Sequence, residues 1–200
     1  WAPKEYVLKL RGLFLSSSRY KQITKCTTRC VTLNYAGDYH LDIVPIVVRA
    51  GFFGETENAC NRHEDTFEQT APSDFAEWVA EMDRRAGGQL VPCIRLLKYL
   101  RDIKATFSAK SVLLNTVLGE RISDAIIYDP GSPEWADVPS ALLEVLRRLD
   151  RWAKAQWLRP DIRNPVLQSE SFDRHWDDEK WEVFRSAIAR YLEWVEDAYC

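Results

Sequence analysis

The sequence predicts an α+β fold, with an antiparallel hairpin at one end and a helical bundle packed beside it. Three observations predict it. Runs rich in Thr, Val and Ile crowd the first part of the chain, on either side of Ala36-Gly37-Asp38. From Ser73 onward apolar residues recur at helical spacing instead. The change of period falls near residues 50–72, which divides the chain into a β-rich part, residues 1–60, and a helical domain, residues 61–200.

Each element has a local reason. Pro3 suits the first turn of a helix, Tyr6, Leu10, Leu13 and Phe14 continue it, and Ser16-Ser17-Ser18 ends it. Thr27 to Tyr35 reads as a strand, Ala36-Gly37-Asp38 as a tight turn, and Tyr39 to Val48 as the returning strand. Gly51 to Cys60 reads as a further short strand. Ser73 is an N-cap, and Gly87-Gly88 ends the helix that it opens. Val91 to Thr106 is the next helix, and Ser108 caps another that runs to Gly119. Asp129-Pro130-Gly131-Ser132-Pro133 is a turn-rich loop. Ser140 to Trp157 and Asp178 to Tyr199 are two more amphipathic helices, and the Trp side chains at 152, 157, 181 and 194 read as core.

Composition excludes several classes. Apolar residues make up 46% and charged residues 28%, as in a soluble globular domain. The net charge of -3 gives no global reason to bind nucleic acid or an anionic membrane. No apolar run is long enough to span a bilayer. The five Cys are irregularly spaced, which fits reduced thiols in a cytoplasm better than a disulfide framework. P-loop, dinucleotide-binding and nucleophile-elbow patterns are absent from the sequence.

The stretch His40-Leu41-Asp42-Ile43-Val44-Pro45-Ile46-Val47 is the most informative. An acid in a β-branched strand is costly to bury unless it is paired or holds metal. By alternation Asp42 shares a face with His40, Val44 and Ile46, and Pro45 marks an edge or a bulge. Asp42 either faces solvent or a cation partner, or is one of the clustered carboxylates with which phosphoryl-transfer enzymes hold Mg²⁺. In the latter case it faces a cleft.

In the helix of Val91 to Lys104, Leu96, Tyr99, Leu100 and Ile103 form the apolar face, with Arg95, Lys98 and Asp102 opposite. Lys98 either pairs with Asp102 four residues on or points into a phosphate pocket. Ser108-Ala109-Lys110-Ser111 opens the next helix, where unpaired amides favour an anion. Ser108 and Ser111 either cap that helix or donate to a ligand there. Cys60 and His63 have the spacing of two zinc ligands, but further ligands are far off in sequence.

Four stretches together resemble the cyclic-oligonucleotide synthases of bacterial anti-phage systems, relatives of animal cyclic GMP-AMP synthase and oligoadenylate synthase. They are Arg29 to Leu33 with His40 to Pro45; Asn61-Arg62 through Phe67 to Pro72, Phe75 and Trp78; Ile94 to Asp102 with Phe107 and Lys110 to Leu114; and Asn164 to Leu167 with Trp176 and Phe184. The resemblance implies a polymerase-β-like nucleotidyltransferase sheet, of which residues 1–60 are the later part. It implies that Asp42 is the third carboxylate of a site for two Mg²⁺ ions, and that Lys98 and Ser111 contact the donor triphosphate. The implied partners are nucleoside triphosphates and an N-terminal segment carrying the family's Gly-Ser turn and paired carboxylates, which have no counterpart between Trp1 and Cys200. A regulatory protein is a further candidate partner. On this reading the 200-residue chain alone is inactive, because one carboxylate cannot assemble a two-metal site. The rival readings are another template-independent nucleotidyltransferase of this fold and a non-catalytic scaffold.

Overall fold

The computed structural model describes residues 1–37, 39–51, 54–123 and 133–199. Asp38, Cys200 and the loop call at Asp129 to Ser132 lie outside the described residues, as do Phe52 and Phe53 within the predicted strand after Gly51. The chain forms two compact units, Trp1–Pro72 and Ser73–Cys200.

The first unit begins with helix α1, Pro3–Ser16, as the sequence predicts. Pro3 occupies its first turn, where a missing N–H costs nothing. The Ala2 amide donates to Glu5 Oε2 at 3.0 Å, and the Lys4 amide donates to Asp65 Oδ1 at 2.9 Å. Asp65 thus caps α1 from a distant turn, and the helix dipole favours its charge there.

Two three-stranded antiparallel sheets follow. The first holds β1 (Thr24–Cys26), β2 (Val31–Asn34) and β3 (His40–Ile43), in that order. The second holds β4 (Ile46–Gly51), β5 (Gly54–Asn61) and β6 (Thr66–Thr70). The predicted strand from Thr27 to Tyr35 is shorter, because Thr27–Arg29 form the turn from β1. The predicted strand from Tyr39 to Val48 is two strands in two sheets. Pro45 lacks the N–H to continue a ladder, and the chain changes sheet across Val44-Pro45. Val7, Val31 and Cys60 are fully buried, with Tyr6, Leu10, Phe14, Cys26, Val47 and Phe67 packed against them.

The second unit is helical: α2 (Pro72–Arg85), α3 (Leu90–Lys104), α4 (Ser111–Ser123), α5 (Val138–Ala155) and α6 (Asp178–Tyr199). Gly87, at φ +58°, follows α2 where a left-handed residue closes the helix. Asp83 Oδ1 accepts from the Val91 amide at 2.8 Å and so caps α3. Asp137 caps α5 by accepting from the Ser140 amide at 2.9 Å. A small hairpin that the sequence reading missed, β7 (Arg163–Asn164) with β8 (Leu167–Ser171), precedes α6. Leu90, Leu97, Leu113, Leu114, Leu118, Leu146 and Leu149 pack with Trp181, Phe184, Ile188 and Tyr191 in one core. Trp152 packs beside it, whereas Trp157 is 99% exposed and Trp194 46% exposed, and neither is the core residue that the sequence suggested. Helix α5 ends at Ala155, so Trp157 falls past the last turn that could aim it inward.

Candidate functional site

Asp42 lies on β3, directly opposite Thr32 on β2. The register Lys25–Thr32–Asp42, with Asn34 opposite His40, defines one polar face of the first sheet. Val31, Leu33 and Cys26 point to the other face, where Val31 meets Val7 of α1. Asp42 therefore avoids the apolar core, and its side chain is 50% exposed. Thr32 Oγ1 donates to Asp42 Oδ1 at 2.5 Å, while His40 Nε2 lies 3.9 Å from Oδ2. One carboxylate oxygen is thus held by Thr32 and the other lies on the side of His40.

That donor set fits one arm of a Mg²⁺ site. Mg²⁺ takes one or two carboxylates and completes its octahedron with water and substrate phosphate. Among the described residues no three His, Cys, Asp or Glu side chains gather as a metal site, so Asp42 brings a single carboxylate to its sheet face. Cys60 is fully buried, and burial raises its thiol pKa. His63 is exposed and contacts Arg62. Cys60 and His63 therefore point to different surroundings, and the zinc spacing has no structural counterpart.

Lys98 lies on α3 and is half-buried. The face that α3 buries is Leu90, Cys93, Ile94 and Leu97, not the expected stripe. Leu96, Tyr99 and Ile103 are exposed. The helix carries two overlapping apolar stripes, and periodicity alone does not choose between them. Asp102 does not take Lys98 as its partner; it accepts from Arg101 Nε at 2.8 Å. Burial, then the neighbouring charges of Arg101 and Arg95, lower the Lys98 pKa below its ordinary 10.5, against the pull of Asp102. A half-buried ammonium crowded by cations gains from an anion.

Ser111 is the first residue of α4 and is exposed, and Lys110 precedes it. The Leu114 amide bonds back to the Lys110 carbonyl at 3.0 Å, so the helix begins there rather than at Ser108. Ser108 instead offers its carbonyl to Trp176 Nε1 at 3.0 Å. The sequence reading missed Arg101, which donates from Nη1 to the Ala109 carbonyl at 2.7 Å and so ties the end of α3 to the approach of α4. It also missed the contact of Thr32 with Asp42, which depends on the strand register.

Comparison with known proteins adds to this geometry. Residues 1–83 match the model of the Second Messenger Oligonucleotide or Dinucleotide Synthetase domain. A c-di-GMP synthase from Roseivirga ehrenbergii is 29% identical over 66 residues, which is 33% of this chain and 18% of that protein. The matched stretch is thus less than a fifth of the curated relative's length. The Bradyrhizobium diazoefficiens CD-NTase CdnG, solved with GTP, superposes with a TM-score of 0.72 at 18% identity, covering 99% of this chain and 67% of that one. The CdnC:HORMA-deltaN complex of E. coli MS115-1 gives a TM-score of 0.66 at 17% identity, covering 96% of this chain and 63% of that one. The first 83 residues are thus similar to that synthetase domain, and nearly the whole length of the chain has the fold of the solved CD-NTase CdnG.

Proposed function

We propose that the protein joins nucleoside triphosphates into a cyclic di- or trinucleotide second messenger for anti-phage signalling. The observation that carries this reading is the synthetase-domain match over the strands that present Asp42. A ribose hydroxyl of one nucleotide attacks the α-phosphate of another and pyrophosphate leaves. A later attack of the same kind closes the ring. Bound Mg²⁺ would supply activation of the hydroxyl and charge stabilisation on the leaving oxygen. Asp42 is one ligand for it, through Oδ2. Lys98 and Ser111 bind the donor triphosphate, the first by charge and the second by a neutral donor beside helix amides.

The setting follows from the same reading. The four described cysteines Cys26, Cys30, Cys60 and Cys93 are free thiols, in keeping with a reducing cytoplasm. No helix among the described residues is long and apolar enough to cross a membrane. A regulatory protein is proposed as a partner, on the likeness to a synthase solved with a HORMA protein.

The test uses the protein with whatever sequence its gene places before Trp1. Labelled triphosphates and Mg²⁺ should give a phosphatase-resistant cyclic product on thin-layer separation, lost in Asp42→Ala. Linear or protein-linked products would point to another nucleotidyltransferase, and no turnover to a scaffold. Lys98→Ala should raise KM for triphosphate and lower kcat with an unchanged melting temperature, because donor position governs in-line attack. Ser111→Ala should do the same more mildly. Unchanged kinetics in Lys98→Ala would remove Lys98 from the site.

A further inference from the structure

We infer that Thr32 is a positioning residue for Asp42: its hydroxyl engages one carboxylate oxygen and so favours the other as the one offered to a divalent cation. The inference rests on the reading of Asp42 as a metal ligand and adds to it which oxygen binds and why.

The geometry is specific. Thr32 and Asp42 are cross-strand partners on the polar face of the first sheet. Thr32 lies on the central strand and is 9% exposed, whereas Asp42 lies on the outer strand and is half exposed. The buried residue is the rigid one, and a β-branched side chain has few rotamers in which to wander. Its hydroxyl has one proton, and that proton goes to Asp42 Oδ1 at 2.5 Å. The Thr32 hydroxyl oxygen is left to accept from the Cys30 thiol, 3.7 Å away. Cys30 Sγ in turn lies 2.9 Å from Thr27 Oγ1 in the turn after β1. The donor is therefore oriented from behind by two further groups.

A carboxylate oxygen engaged this way keeps a second lone pair, but the bond draws on its charge and crowds one side of it, which favours ligation through the other oxygen. Single-oxygen ligation suits Mg²⁺, which demands near-ideal octahedral geometry at short distance. Two-oxygen ligation suits Ca²⁺, which is larger and accepts irregular shells. The Thr32 hydroxyl thus favours the smaller ion as well as orienting its ligand. Loss of such an outer partner typically weakens metal binding by about 10–100-fold.

The experiment titrates Mg²⁺, and separately Ca²⁺, against melting temperature. It uses the full gene product with a non-hydrolysable nucleoside triphosphate, in wild type, Asp42→Asn, Thr32→Val, Thr32→Ala and Thr32→Ser. The expected result is loss of the Mg²⁺ response in Asp42→Asn. The half-saturating Mg²⁺ should rise about tenfold or more in Thr32→Val, with a smaller rise for Ca²⁺, and stay near wild type in Thr32→Ser. Thr32→Ala gives the same readout should the valine fail to fold. If Asp42→Asn keeps the wild-type Mg²⁺ response, Asp42 is no ligand and the underlying reading falls with the inference. A lost response in Asp42→Asn beside unchanged half-saturation in Thr32→Val and Thr32→Ala overturns the inference alone. An equal rise for both ions, or a serine that fails to restore the response, also overturns it, since packing rather than the hydroxyl would then be the cause.

Discussion

The two units hold themselves together by different means. In the helical unit, tryptophans, phenylalanines and leucines from α3, α4, α5 and α6 meet in one continuous core. Trp176, Trp181 and Phe184 stand within ring-contact distance of one another, at centroid separations of 5.1 to 5.8 Å. Among the described residues of the strand unit, Val7, Val31 and Cys60 form a much smaller buried cluster, and polar ties do much of the remaining work. Asn61 Oδ1 accepts from the His63 and Glu64 amides, and its Nδ2 donates to Glu68. Arg62 donates from Nε to the Thr27 carbonyl, and Arg29 pairs with Glu68. The helical unit draws on non-directional burial, which scales with area. The strand unit depends on directional bonds, each worth less but each fixing a turn. That division suits the proposed task of holding the Asp42 carboxylate in one orientation.

The comparison can be broken most directly in the helical core. Phe184 is fully buried, and Phe184→Ala should cost about 3–5 kcal/mol of stability by denaturant titration. A loss well under this would mean that the core is not the stabilising centre. Gly119→Ala is the next largest effect. A Cβ there would lie 2.4 Å from the Trp78 ring, so the ring or α4 must shift, at a cost of about 1–3 kcal/mol. Trp78→Leu should relieve that cost in the double variant, which a double-mutant cycle reads.

Asn61→Ala addresses the strand unit. Asn61 is buried, and its loss leaves turn amides unpaired, at about 1–3 kcal/mol. Its signature should be faster amide exchange in the β5–β6 turn while the helical unit stays protected. Ala105→Gly should be the smallest effect and of opposite sign. Ala105 closes α3 at φ +47°, where glycine is at ease, so melting temperature should rise by the equivalent of up to about 1 kcal/mol.

A pH experiment sharpens the same contrast. The Lys4 backbone amide, above all, lowers the Asp65 pKa; desolvation opposes it, and the Lys4 side chain lowers the pKa further. A carboxylate depressed in the folded state contributes stability above its unfolded pKa and loses it as pH falls through the folded one. Amide exchange in α1 should therefore quicken on acidification below the usual aspartate range. In Asp65→Asn that acid-dependent change should be absent. Exchange that stays pH-independent in the wild type, after correction for intrinsic rates, would remove Asp65 as the cap.

What the sequence determined by itself is what local chemistry determines. Pro3 and the serines after Leu15 bound α1, and the periodic run from Asp178 to Tyr199 bounds α6, because caps and apolar spacing act within a few turns. The Thr- and Val-rich hairpin placed Asp42 in a strand, and Pro45 marked an edge or a bulge there. Tertiary structure decided the rest. It decided that the chain changes sheet at Pro45, since the missing N–H marks an interruption without naming the next partner. It decided which of two apolar stripes α3 buries, since both satisfy a helical period and only the packed neighbours distinguish them. It also decided that the hydroxyl opposite Asp42 is the one that holds it. The alternating pattern names a face, but the bond from Thr32 depends on register, and register is settled only when the strands and their turn close together.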